Sequence, residues 1–272
     1  MITLSGLINR SFQASFQAGK ALIYHRSNGF NVKEKDNHRG PQTIADLDAQ
    51  QIIVSSILDY LPTLPLSNIV AEEGRLDRIE ITYKNEMGMN LQDEFERMIP
   101  RSLKEVNVNE LTFFIDPLDG TKEYVKNSDK VPMVMIGICL LGKPVVGLLH
   151  QPFVNKFYLG FEGGSCYYTD ENKFHPYKKH SAIDELIVTT TNSHFTKEIK
   201  ETIGRLEPSV IKNEGGCGYK VVTLLENHSN IYCYPSNGTS KWDTCAPEVC
   251  LRALGGELTD CYVSALHNSF QH

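Results

Sequence analysis

Apolar residues recur at helical spacing in two early stretches. Leu4, Leu7, Ile8, Phe12 and Phe16 fall on one face of residues 4 to 26 and predict an amphipathic helix. Residues 46 to 61 repeat the pattern through Leu47, Ile52, Ile53, Ile57 and Leu58. The stretch LSNIVAEEG reads as a short strand ending in two glutamates, and residues 84 to 105 as polar and irregular, with a helix that keeps an exposed face. LTFFI then reads as a buried strand. VPMVMIGICLLGKPVVGLLHQP reads as two strands joined at Gly142-Lys143, and KFYLGFEGG as a third antiparallel strand. Beyond about residue 180 the rhythm changes. The strand-like runs LIVTTT, SVIK and NIYCYP alternate with helix-like segments at 195–206, 218–227 and 243–254. The pattern predicts a mixed α/β (α+β) fold of two closely packed halves. An antiparallel-sheet half covers residues 1–160 and an α/β half covers 161–272, with no Pro/Gly/Ser linker between them.

Composition narrows the function classes. Apolar residues make up 41% of the 272-residue chain and charged residues 22%, enough for a sizeable core without disulfides. The seven cysteines are odd in number and include no C-x-x-C pair, which argues for free thiols in a reducing compartment and against a zinc cluster. The longest apolar runs are too short to span a bilayer. MITLSGLINRSF has neither a basic leader region nor a small-residue cleavage site, so a cytoplasmic protein without a membrane partner is expected. The formal net charge is −6 and no basic block is present, which disfavours nucleic acid as a partner. A phosphorylated small molecule still suits such a chain, because a bound divalent cation dominates its local field.

The densest candidate chemistry is DPLDGTKEY, residues 116 to 124. Asp116 is expected to end the apolar strand, with Pro117 halting it and Asp119-Gly120-Thr121 turning into a helix. Two carboxylates spaced this way can converge on one Mg²⁺, whose preferred ligands are oxygens. Gly120 lets a phosphate approach backbone N–H groups at the helix start. A plain Asp-Gly turn explains a lone D-G. The full D-P-x-D-G-T string, however, arises by chance on the order of once in ten thousand chains of this length. Other acidic positions are ambiguous alone. Glu72-Glu73 reads equally as a solvated surface. Asp46, near Thr43, and Asp243, after the only Trp, read equally as helix caps. Gly216 and Lys220 in GGCGYK suit close backbone approach and a phosphate contact, against a simple turn.

Taken in order, T-x-A-D, E-E, D-P-L-D-G-T and W-D followed by G-G resemble the lithium-sensitive, magnesium-dependent phosphatase superfamily. It includes inositol monophosphatase, inositol polyphosphate 1-phosphatase, fructose 1,6-bisphosphatase and 3′(2′),5′-bisphosphate nucleotidase. DPLDGTKEY, TTTNSH and KWDTCAPEVCLRALGGELTD look most like the bisphosphate nucleotidases. The similarity runs from about residue 10 to 260. After GGELTD the relatives continue with a glycine-bearing turn, a further strand and a last helix, from which CYVSALHNSFQH departs.

The resemblance implies a layered αβαβα fold with the site between the halves. It implies two or more Mg²⁺ ions held by Glu72, Asp116, Asp119, Asp243 and the backbone carbonyl of Leu118. Asp46 and Thr121 would activate water, and Glu73 would stand behind the ligands, helping to hold a water. Gly120, Thr121, Thr191, His194, Gly216 and Lys220 would meet the substrate. The implied activity is hydrolysis of the 3′-phosphate of 3′-phosphoadenosine 5′-phosphate, or of its 5′-phosphosulfate analogue. Inositol polyphosphate 1-phosphatase is the alternative. A non-catalytic protein that binds metal or nucleotide is the alternative of another class.

Overall fold

The computed structural model describes residues 1–34, 40–74, 90–170, 173–178, 184–192 and 195–260. After a two-residue strand, β1 (Ile2–Thr3), the first predicted helix forms as α1 (Leu4–Asn28). Its buried Leu4, Leu7, Ile8, Phe12, Ser15, Ala18 and Leu22 recur every three or four residues and make one continuous stripe. A small hairpin, β2 (Val32–Glu34) and β3 (Pro41–Thr43), leads into α2 (Ile44–Tyr60), which packs along α1. The strand in LSNIVAEEG is β4 (Ile69–Ala71). Of the polar stretch expected at 84–105, residues 84–89 lie outside the described residues. The rest forms α3 (Gln92–Met98) and β5 (Glu105–Val106), which pairs with β1.

LTFFI begins β6 (Leu111–Asp119), and here the sequence expectation needs correcting. Pro117 does not halt the strand. Asp116 pairs with Met135 and Asp119 with Met133, so the residues between them form a bulge and pairing resumes at Asp119. A bulge tolerates proline because no ladder bond is asked of its nitrogen. Gly120 then turns the chain with φ +81° into α4 (Thr121–Val125).

β7 (Met133–Leu140) and β8 (Lys143–Gln151) form the predicted hairpin, but its two loop residues are Leu141 and Gly142, both at positive φ, one position before the expected Gly142-Lys143. β9 (Lys156–Phe161), β10 (Cys166–Asp170) and β11 (Lys173–Pro176) complete a seven-stranded sheet of order β11-β10-β9-β8-β7-β6-β4. This sheet continues past residue 160. A second, three-stranded parallel sheet follows, built from β12 (Ile187–Thr191), β13 (Val210–Glu214) and β14 (Ile231–Tyr232) in the order β13-β12-β14. Its helices are α5 (Lys197–Gly204), α6 (Cys217–Leu225) and α7 (Lys241–Ala253).

The large sheet is covered on both faces, as its uninterrupted apolar strands require. On β7, Val134, Ile136 and Ile138 face the core under α1 and α2, while Met133 and Met135 face α6 and α7. The small sheet carries α5 on its far side, where Val188 meets Ile199 and Ile203. The layers therefore run helix, sheet, helix, sheet, helix. Among the described residues no helix is long and apolar enough to cross a membrane.

A row of glycines seats α7. Gly137, Gly147 and Gly160 are directly paired across β7, β8 and β9. A side chain at Gly137 would lie 2.9 Å from the backbone nitrogen of Ala246, and one at Gly160 would lie 2.7 Å from Cα of Cys250. A methyl at Gly147 would overlap the carbonyl oxygen of Ala246 outright. The helix backbone thus rests on the bare sheet, which fixes the height of Asp243 above β6.

Candidate active site

Two helix caps supply two of the acidic groups. Asp46 is the third residue of α2, and its Oδ2 accepts the Thr43 N–H at 2.8 Å and the Thr43 hydroxyl at 2.6 Å. Its Oδ1 is left for Thr121 Oγ1, 3.0 Å away across 75 residues of chain. Asp243 occupies the same position in α7, where its Oδ2 accepts the Ser240 N–H at 2.6 Å. The cap and site readings of these residues are therefore compatible. In Asp46 one oxygen caps the helix and the other meets Thr121, while Asp243 caps its helix and lines the cleft.

The β6 bulge supplies the next pair. Asp116 Oδ1 accepts the Leu118 N–H at 3.0 Å, which folds the bulge back on itself. Asp119 accepts the N–H groups of Cys217 at 2.9 Å and Gly218 at 2.8 Å, at the head of α6. A side chain at Gly216 would lie 2.7 Å from Asp119 Oδ2, so the loop approaches that closely only without one. The ligand atoms of Asp116, Asp119 and Asp243 lie within 4.8 Å of one another. Glu72, at the end of β4, is within hydrogen-bonding reach of Asp116. Its own N–H donates to Ile115 O at 3.1 Å, which ties this strand end to β6. Glu73 faces away, where Gln42 donates to its carboxylate and its N–H donates to Gln50 Oε1 at 2.9 Å.

Burial and mutual repulsion dominate the electrostatics. Burial first, then the charges of Glu72, Asp119 and Asp243, pushes the Asp116 carboxyl well above the usual range. Burial and Asp119 push Asp243 up to about 7, against the Ser240 N–H and Lys220. Burial also raises Asp119, opposed by Lys220 and its two N–H donors. Such a group of buried carboxylates is stable either partly protonated or around a cation. The all-oxygen donor set fits a hard divalent ion.

Glu72, Asp116, Asp119 and Asp243 line a cleft of about 580 Å³ between the large sheet and the small one. Leu118, Gly120, Thr121, Thr191, Gly216 and Lys220 line it too. Thr121 Oγ1 also lies 3.1 Å from Leu118 O. Lys220 is buried, and its ammonium donates to Gly216 O at 2.6 Å with the Tyr232 ring 5.2 Å away. His194 lies outside the described residues, as does the stretch from 261 onward. Glu123, Tyr232, Tyr234 and Trp242 also line the cleft, none of them marked as a site residue by the sequence pattern. The two tyrosines stand two apart on a strand-like run and so share a face, a signal that was available.

The family model described as "Inositol monophosphatase family" matches residues 4–269. The human "3′(2′),5′-bisphosphate nucleotidase 1" is 32% identical over 282 residues, covering 99% of this chain and 88% of that protein. Its Dictyostelium discoideum namesake is 29% identical over 85% of this chain and 76% of its own length. Among solved structures, the suppressor protein suhB from Bartonella henselae superposes with a TM-score of 0.67 at 18% identity, over 92% of this chain and 85% of its own. CysQ from Bacteroides thetaiotaomicron superposes with a TM-score of 0.63 at 23% identity, over 92% and 87%. At these identities the structural likeness speaks for the fold.

Proposed function

The chain belongs to the inositol monophosphatase family and is a phosphatase, and from that premise we propose that it hydrolyses the 3′-phosphate of 3′-phosphoadenosine 5′-phosphate with Mg²⁺, giving AMP. Its 5′-phosphosulfate analogue is a second substrate of the same kind. One observation carries the reading: Asp116, Asp119 and Asp243 converge within 4.8 Å in the cleft that also presents Thr121 paired with Asp46.

In this reading Glu72, Asp116, Asp119, Asp243 and the Leu118 carbonyl would hold two or more Mg²⁺ ions. The metal, when bound, neutralises phosphoryl charge and lowers the pKa of water. The protein's own work is to place and deprotonate that water. Thr121 takes its proton and passes one to Asp46 Oδ1, while the Thr43 donors keep Asp46 oriented. The attack on phosphorus runs in line with the departing ester oxygen, and the products are an alcohol and inorganic phosphate. No covalent phosphoenzyme forms. Residues up to about 160 supply most of the metal ligands. The half beyond supplies Asp243 and the nucleotide contacts from Thr191, His194, Gly216 and Lys220. Tyr232, Tyr234 and Trp242 give the cleft the aromatic faces that an adenine base stacks on.

The test is a side-by-side assay of phosphate release from 3′-phosphoadenosine 5′-phosphate and inositol 1,4-bisphosphate, with Mg²⁺, with chelator and with LiCl. Preference for the nucleotide, loss with chelator and inhibition by lithium are expected. Preference for the inositol phosphate would move the chain to the polyphosphate 1-phosphatase reading. Metal-dependent binding with no turnover of either would make it a binding protein.

A further inference from the structure

Glu123 has no part in the scheme above, yet its place is unusual. It sits on α4 two residues after Thr121, lines the cleft, and is 9% exposed. Its Oε1 is fully buried and receives no hydrogen bond. The loop opposite is shaped around it: a side chain at Gly215 would lie 2.5 Å from that oxygen and 2.6 Å from Glu123 Cγ. Its charge acts on Asp119, so it belongs to the same electrostatic field as the metal ligands, but it is not one of the converging carboxylates. The nearby ammonium of Lys220 is turned to Gly216 O.

A carboxylate that is nine-tenths buried with no donor on its inner oxygen is costly, and when the same side chain lines a cleft its position points to a group that arrives with the ligand. That group cannot be the phosphate, which is also negative. It must be a neutral donor close to the phosphate, because Glu123 is on the same short helix as Thr121. The aromatic residues suited to a base come from β14, the segment after it and the head of α7, not from α4. What remains on a phosphorylated sugar is a hydroxyl next to the phosphorylated carbon.

We propose that Glu123 is a specificity-determining residue whose carboxylate accepts a hydrogen bond from the sugar hydroxyl vicinal to the scissile phosphate, which for a 3′-phosphonucleotide is the ribose 2′-hydroxyl. The proposal rests on the phosphatase reading and deepens it. Gly215 is then required because its bare backbone makes room for the carboxylate.

The test compares kcat/KM for 3′-phosphoadenosine 5′-phosphate and its 2′-deoxy analogue in the wild type, Glu123→Gln and Glu123→Ala. The wild type should favour the ribose form about tenfold or more, and Glu123→Ala should bring the ratio within about twofold of unity. Glu123→Gln, whose amide oxygen still accepts, should fall between. An equal loss on both substrates in Glu123→Ala would mean a structural role and overturn the proposal. So would an unchanged ratio accompanied by a shifted Mg²⁺ requirement, which would mean a cation site. If neither nucleotide is turned over, the hydrolase reading fails on its own. Calorimetric binding of the same two nucleotides with Mg²⁺ then reads the ratio. Glu123→Gln, close in shape to the wild type, answers for any loss of folding in the alanine variant.

Discussion

Replacing Gly147 by alanine tests whether the sheet's bare glycine row sets the position of Asp243. The added methyl would meet the Ala246 carbonyl oxygen and force it back by about 1 Å to reach an ordinary contact. The sheet cannot yield, because Gly147 lies between β7 and β9 with paired neighbours on both sides. The helix must therefore lift. Ala246 is less than one turn from Asp243, so the displacement arrives at the carboxylate almost undiminished. Overpacking of this kind costs about 1–3 kcal/mol, or a fall in Tm of about 3–9 °C for a chain of this size. Misplacing a catalytic group by about 1 Å costs on the order of 100-fold in rate. Gly160→Ala is the control, because its methyl would press on Cys250, which lies about two turns from Asp243 along α7. Thermal melting and Mg²⁺-dependent phosphate release, measured well below both melting temperatures, separate the effects. Both variants should lose stability, and Gly147→Ala should lose far more activity. Wild-type Tm and rate in Gly147→Ala, or an equal loss of activity in Gly160→Ala, would show that the glycine row does not set the position of Asp243.

The remaining predictions concern charge. Asp116→Asn should cost more than the roughly 100-fold that loss of a supporting partner costs at metal sites, because a neutral amide is a poor Mg²⁺ ligand; most of the activity surviving in a kinetic assay would refute its role. Asp243, pushed up to about 7, and Asp116, raised above the carboxylate range, hold protons that a cation must displace. Without metal, the contribution of Asp243 to stability is present below the unfolded carboxylate pKa and is lost as pH rises through about 7, and that of Asp116 is lost in the same direction. Added Mg²⁺ should therefore raise Tm more at pH 8 than at pH 5.5, and a shift of equal size at both would count against the cluster as a cation site. Buried His150, stacked on Phe157 at 3.9 Å with its Nδ1 3.0 Å from Ser15 O, is depressed by burial to about 3. Its contribution is present above pH 6.5 and is lost as pH falls, by about 2 kcal/mol at pH 5. The stability gap between wild type and His150→Leu should narrow by that amount between pH 7 and pH 5 in denaturant titrations, and a constant gap would show that His150 does not carry this acid sensitivity.

Local pattern made much of this architecture legible. The helical spacing of Leu4, Leu7, Ile8 and Phe12 needs only a core to face, and α1 provides that stripe over its length. The strands β6 to β9 are apolar on both sides because they are covered on both faces, so their runs stand out in the sequence. Weaker signals were lost. The β10–β11 hairpin lies at the sheet's edge, with exposed Asp170 and Lys173 opposite each other, and shows no such run. The continuation of β6 through Pro117 was misread because a proline ordinarily ends pairing, and only the register against Met135 and Met133 reveals a bulge.

By itself, the sequence determined the order of the longer helices and strands, the burial of the LTFFI strand and the residue types that could serve a cation and a phosphate. These follow from periodicity and from side-chain chemistry, which are local. Tertiary structure alone decided which acidic groups meet. Asp46 and Asp243 read as helix caps in the sequence; in the fold Asp46 caps α2 through Oδ2 and meets Thr121 through Oδ1, and Asp243 caps α7 and also lies in the carboxylate cluster. It also decided that Glu123 faces Gly215 and that bare glycines let α7 lie on the sheet. Convergence of this kind depends on packing distances between segments 75 or more residues apart, and no local rule of spacing contains them.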